Sequence, residues 1–151
     1  MDLSDGTASD LNDADFERLL ALRTGLRRFV HWSEEQARGA GITPAQHQLL
    51  LAVRGHPAEI GPTIGELAGY LLLRPHSTSE LIDRAVAAGL VTRTHDAGNA
   101  SIVRMALTPL GTEKLRELSG AHLQELAELG PTMRTLWKAI EQFEQGREPA
   151  Q

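Results

Sequence analysis

Cysteine is absent from all 151 residues, which removes disulfide frameworks, cysteine-based zinc sites and thiol redox sensing from consideration. No apolar run approaches the roughly 18 residues of a membrane span, and no basic start leads into an apolar stretch. Neither membrane insertion nor secretion is expected, and the chain is read as cytoplasmic. A Gly-rich phosphate loop, a nucleophile elbow and paired carboxylates in an apolar setting are all missing, so the chain is not expected to be an enzyme. Six histidines occur, but none forms an H-x-x-x-H or E-x-x-H pair at helical spacing, so no metal and no cofactor are expected. Positive charge is scarce as well. The net charge of -5 is a poor start for binding nucleic acid, whose affinity comes largely from neutralised phosphates.

The distribution of that charge matters more than its sum. Asp2, Asp5, Asp10, Asp13 and Asp15 crowd the first fifteen residues without a Lys or Arg, as an acidic tail would. Between Arg74 and Arg104, by contrast, Arg74, Arg84, Arg93 and Arg104 nearly balance Glu80, Asp83 and Asp96, with His76 and His95 in reserve. A length of 151 residues and a hydrophobic fraction of 41% fit one domain with a sizeable core.

Hydrophobic spacing then supplies the elements. Phe16, Leu19, Leu20, Leu22, Leu26, Phe29 and Val30 recur at helical spacing, predicting an amphipathic helix that stops near Gly39 to Gly41. Thr43-Pro44-Ala45-Gln46 combines an N-cap, a first-turn proline and a capping-box Gln ahead of Leu49, Leu50 and Val53, a second helix running to Gly55. After a Gly/Pro-rich loop, Thr63-Ile64-Gly65-Glu66 repeats the capping logic before a third helix of about two turns. Pro75 suits the first turn of a fourth helix carrying Leu81, Ile82, Ala85 and Val86. Either Arg74 or Ser77 caps it, and Gly89 closes it in the left-handed region. Val91 to His95 and Ile102 to Leu107 read as a hairpin around Asp96 to Ala100. Thr108-Pro109 starts a long helix through Leu129, and Gly130-Pro131 is expected to break it before a last helix carrying Met133, Leu136, Trp137, Ile140 and Phe143.

The resulting fold class is mainly α with a small β-hairpin. Two consecutive short helices with the second exposed make a helix-turn-helix, and a hairpin directly after them is a wing. An exposed helix fits the major groove of a duplex. His76, Ser77, Thr78 and Ser79 at its start offer hydrogen bonds to bases or phosphates, although a hydroxyl there also serves as an ordinary helix cap. Arg84 reads either as a phosphate clamp or as the helical partner of Glu80. Arg93, His95 and Arg104 fall on the wing strands, as DNA contacts or as solvated charges.

Five segments together carry a resemblance: Ile42-Thr43-Pro44-Ala45-Gln46, Thr63-Ile64-Gly65-Glu66-Leu67-Ala68, Ser77-Thr78-Ser79-Glu80-Leu81-Ile82-Asp83-Arg84, Ala88-Gly89-Leu90-Val91-Thr92-Arg93 and Leu107-Thr108-Pro109-Leu110-Gly111. In order and spacing the chain resembles the MarR family of winged helix-turn-helix transcriptional regulators over roughly residues 15–145. The resemblance implies a homodimer with intertwined terminal helices, a recognition helix at about Arg74 to Ala88, a wing reaching the minor groove, and a ligand cleft whose floor would include His31, Trp32, Glu35 and His47. A His beside a Trp is also ordinary half-buried packing. The organisation expected is an acidic disordered tail at 1–14, one domain at 15–146, and a tail at 147–151. Within the domain, dimerisation helices occupy 15–40 and 109–146, and a DNA-binding lobe occupies 43–108, in which Thr63 at the start of the third helix and Arg74 before the fourth are further candidate DNA contacts. One departure stands out. The family commonly carries Asp-Arg-Arg at the wing tip, where this chain has Gly98-Asn99-Ala100-Ser101, so weaker DNA binding is expected. The expected partners are therefore double-stranded DNA, a second copy of the chain and a small-molecule effector, with repression of transcription the expected outcome and no membrane partner. The alternative is a winged-helix protein-interaction module in which DNA binding is weakened or lost.

Overall fold

A computed structural model describes residues 11–145. Five helices and one hairpin follow in the order α1 (Asp13–Gly39), α2 (Pro44–Gly55), α3 (Ile64–Leu71), α4 (Pro75–Ala87), β1 (Val91–His95), β2 (Val103–Leu107) and α5 (Pro109–Gln145). Their contacts group them into two units: residues 33–122, and residues 11–32 with 123–145. Among the described residues no helix is long and apolar enough to cross a membrane.

Local chemistry sets the boundaries. Both predicted capping boxes form: the Thr43 hydroxyl accepts from the Gln46 amide and Thr63 does the same for Glu66, while each N3 side chain accepts from the cap's own amide. The acidic tail expected at 1–14 ends earlier than its charge suggests. Asn12 and Asp15 cap each other reciprocally, with the Asn12 amide donating to the Asp15 carboxylate at 3.0 Å and the Asp15 amide to Asn12 Oδ1 at 3.2 Å. Helix α1 therefore starts at Asp13, with Asp13 and Asp15 in its first turn facing the positive end of the helix dipole. The rest of that tail, with Asp2, Asp5 and Asp10, lies outside the described residues, as does the tail at 147–151.

The expected break at Gly130-Pro131 does not occur. Helix α5 runs through Pro131, although a proline there removes one rung of the helical ladder. Ala127, whose carbonyl loses that rung, is exposed, so water can take its place. One turn on, the Thr135 hydroxyl donates to the Pro131 carbonyl at 3.1 Å.

The core of the 33–122 unit gathers Leu49, Leu50 and Val53 from α2, Leu67 from α3, Leu81, Ile82 and Ala85 from α4, and Leu90, Val91 and Met105 from the hairpin and its approach. Each fully buried Leu or Ile is worth about 1.5–3 kcal/mol. Ala37 and Ala40 on one flank and Leu115 and Leu118 on the other join this core, which is why the unit extends beyond the expected lobe of 43–108. The second unit is different. Its helical segments leave Phe16, Leu20, Leu26, Val30, Leu123 and Trp137 exposed, large side chains that a folded chain normally covers.

Strands β1 and β2 pair antiparallel, with Val91 opposite Leu107 and His95 opposite Val103. A bridge between Thr63 and Arg104, and the bond from the Met105 amide to the Pro62 carbonyl, attach the hairpin to the start of α3. Its other end is fixed where the chain leaves α4. The Gly89 amide donates to the Val86 carbonyl and the Leu90 amide to that of Ala85, a Schellman closure with Gly89 at φ +74.

Candidate nucleic-acid interface

Helix α3 ends in a three-residue turn. Leu72 takes the left-handed conformation (φ 53, ψ 39) and stands 91% exposed, while the Leu73 amide donates back to the Ala68 carbonyl. A leucine in that conformation costs about 1 kcal/mol or more. The turn permits Pro75 to open α4 immediately, with Arg74 as its N-cap, which settles the choice between Arg74 and Ser77.

Helical spacing then divides α4 into two faces. Thr78, Leu81, Ile82 and Ala85 point into the core, and His76, Glu80, Asp83 and Ala87 form the exposed stripe opposite, with Ser77 and Arg84 along its side. Thr78 must therefore be withdrawn as a candidate contact: it is fully buried, and its hydroxyl donates to the Arg74 carbonyl at 3.0 Å. Ser79 is half-buried, whereas His76 and Ser77 are exposed. The Thr63 hydroxyl is engaged in its capping box.

The arginines fall into two groups. Arg74 is exposed, and Arg84 donates its Nε to the backbone carbonyl of Glu80 at 3.3 Å; among the described residues neither guanidinium is paired with a carboxylate. The Glu80 carboxylate meets His76 Nε2 instead, at 3.3 Å. The two wing arginines are neutralised. Arg93 binds Asp83 of α4, which ties the wing to that helix. Arg104 donates to Asp96 at 2.8 Å and to the Gly61 carbonyl at 3.1 Å and is largely covered, so it holds the wing together rather than facing outward as expected.

Asp96 also organises the wing tip. Its second oxygen accepts from the amides of Gly98 and Asn99, and these amides together with Arg104, the largest influence, hold its carboxyl below the usual carboxylate range. His95 Nδ1 donates to the Ala100 carbonyl at 2.9 Å, so that ring also braces the tip. The tip is thus a set of closed hydrogen bonds without a projecting cation.

The four proposed ligand residues divide between the units. In residues 11–32, His31 is exposed and the Trp32 ring lies 6.0 Å from that of Phe29. In residues 33–122, Glu35 is exposed while His47 is buried, with its ring centroid 4.7 Å from that of His122. Burial, then the charge of His122, lowers the His47 pKa. His122 donates from Nδ1 to the Leu118 carbonyl and hydrogen-bonds Ser33 through Nε2, each at 2.7 Å. The sequence does not single out His122, because Ser33 lies 89 residues away and His47 is comparably remote along the chain. Among the described residues there is no cluster of three or more metal-ligating side chains. A cavity of about 620 Å³ opens between the loop after α2 and the wing, bordered by His56, Glu59, Ile60, His95 and Ala106, with none of the four ligand candidates in its wall.

Comparison with known proteins places this arrangement. A family model described as "MarR family" matches residues 40–100, from the end of α1 to the wing tip. No curated protein matches the sequence. Among solved structures, the MarR family transcription regulator SP03579 is 22% identical with a TM-score of 0.70, covering 91% of this chain and 95% of its own. RV1404 from Mycobacterium tuberculosis is 24% identical with a TM-score of 0.67, covering 93% and 99%. A variant of MepR from S. aureus, solved bound to an oligodeoxyribonucleotide, is 14% identical with a TM-score of 0.60, covering 92% and 100%. The chain is thus similar to the MarR family over residues 40–100, and it shares the fold of these solved structures over more than nine-tenths of its length.

Proposed function

We propose that the chain is a sequence-specific DNA-binding transcriptional regulator that acts as a homodimer, represses from a near-palindromic operator and is released by a small-molecule effector. It works in the cytoplasm and catalyses nothing. The observation that carries the reading is the exposed side of α4: Ser77 and Arg84 flank its outer stripe and Arg74 caps its start, all exposed, while the other face is locked into the core and a hairpin wing lies beside it. Such a helix reaches base edges in the major groove while its arginines neutralise phosphates. The MepR variant bound to an oligodeoxyribonucleotide supports this use of the fold. The exposed apolar side chains of α1 and α5, among them Phe16, Leu20 and Trp137, support dimerisation, which would set two copies of α4 about one duplex turn apart. An effector that binds better to a spacing misfitting the grooves would release the protein.

The test is binding of the purified protein to its own upstream intergenic duplex, against a scrambled duplex, over a salt series. Arg74 and Arg84 of two protomers supply four cations, so log K should fall against log salt with a slope near about -4, with a strong preference for the native duplex. A second reading has a specific observation behind it: Asp83 and Asp96 neutralise the wing arginines. On that reading the lobe docks a protein. Equal and weak binding to both duplexes, unaltered by Ser77→Ala and Arg84→Ala, would establish it in place of the first.

A further inference from the structure

A carboxylate is an unusual group to place in the middle of a helix face turned toward a polyanion. Glu80 stands there, four residues after His76 and three before Asp83, on the stripe opposite Thr78, Leu81, Ile82 and Ala85. Asp83 is engaged by Arg93, and Arg84 spends its Nε on the Glu80 backbone carbonyl rather than on the carboxylate. Among the described residues the side chain that approaches the Glu80 carboxylate is the exposed imidazole of His76, with Nε2 3.3 Å from Oε1. Glu80 is thus the acid of this stripe that is held by an exposed histidine rather than by an arginine, and its side chain stays more than half exposed.

We propose that Glu80 is a specificity-determining residue that reads a C·G pair in the major groove of each half-site, an inference that rests on the DNA-binding reading of α4. An ionised carboxylate only accepts hydrogen bonds. Guanine presents two acceptors in the major groove and thymine an acceptor and a methyl group, so both repel or fail to satisfy it. Adenine offers its N6 amino group but sets the N7 acceptor beside it. Cytosine offers the N4 amino group with no acceptor at its side, which makes it the base that satisfies Glu80 without a penalty. Guanine or thymine leaves a desolvated carboxylate unpaired among phosphates, and adenine pairs it only with the N7 acceptor beside it. The residue therefore selects mainly by rejection, which supplies specificity without adding attraction.

The experiment is selection from a randomised duplex library with the full chain, comparing wild type, Glu80→Gln and Glu80→Ala. The wild type should recover a C at one symmetry-related position per half-site, preferred by about 5- to 150-fold over the other bases. Glu80→Gln, which keeps shape and adds a donor, should move that position toward adenine, and Glu80→Ala should lose the preference there while the remaining positions stay unchanged. An unchanged consensus in Glu80→Ala, a wild-type consensus without that C, or tighter binding of Glu80→Ala to every duplex in equal proportion each overturns the role of Glu80 and leaves the regulator reading standing. A wild-type protein that selects no sequence overturns the regulator reading itself.

Discussion

Replacing Gly111 by alanine sets two effects of opposite sign against each other. Gly111 lies in the first turn of α5, where alanine is normally the better helix former by about 0.8–1 kcal/mol. A Cβ at this position would sit 2.1 Å from the Leu90 carbonyl oxygen and 3.0 Å from its carbon, both backbone atoms. To clear them the helix must withdraw by about 1 Å, a strain of about 1–3 kcal/mol in a packed joint. The same carbonyl accepts from the Thr108 amide at 3.1 Å, while the Thr108 hydroxyl donates to the Gly89 carbonyl at 2.6 Å and accepts from the Gly111 amide at 3.0 Å. Movement loosens all three bonds, each worth about 1 kcal/mol. Strain and lost bonds outweigh propensity, and Gly111→Ala should destabilise the fold by about 2–4 kcal/mol. Gly120 in the same helix is the control, because nothing lies within 4 Å of its added Cβ. Gly120→Ala should be neutral or stabilise by up to about 1 kcal/mol. Urea unfolding followed by far-UV circular dichroism, at one fixed protein concentration, measures both. If Gly111→Ala is as stable as the wild type, the account of the joint between wing and α5 is wrong.

Three further outcomes follow from the same geometry. Burial, reinforced by His122, holds the His47 pKa below its ordinary 6.5, so the unfolded chain binds more protons just below that pH. Stability should be full above about pH 6.5 and fall as pH drops below it; a pH series of thermal melts should show this slope, flattened in His47→Leu. Asp83→Asn removes an acid from the face of α4 and releases Arg93, so affinity for DNA should rise and the salt slope should steepen by about 2 over a dimer. A binding titration that shows no gain would mean that Arg93 points away from the duplex. Thr63→Ala removes one half of the α3 capping box and should cost about 1 kcal/mol in chemical denaturation, without a direct loss of base preference.

Much of this protein is legible in its sequence because it is written in local chemistry. Capping boxes at Thr43 and Thr63, Pro44 and Pro75 in first turns, Gly89 at a left-handed position and the apolar periods between them each act over three or four residues. They place α2, α3, α4 and the hairpin close to where the structure has them. Two local signals are harder to read. Asn12 and Asp15 form a reciprocal cap that the acidic composition concealed, and Pro131 sits in a helix whose neighbouring turns hold it despite the missing rung.

What the tertiary structure alone decided is which polar groups remain for a partner. Thr78 and Ser77 are adjacent and chemically alike in sequence, yet one is buried and the other exposed, because a helix rotates each residue by about 100° and only the packed core defines which direction is inward. Arg93 and Arg104 look like a wing's free cations until the fold brings Asp83 and Asp96 beside them from ten and eight residues away. His47 acquires its neighbour His122 from across the core. Periodicity and capping are short-range and survive in a string of letters; pairing between distant charges, and the burial that gives it weight, exist only once the chain has folded.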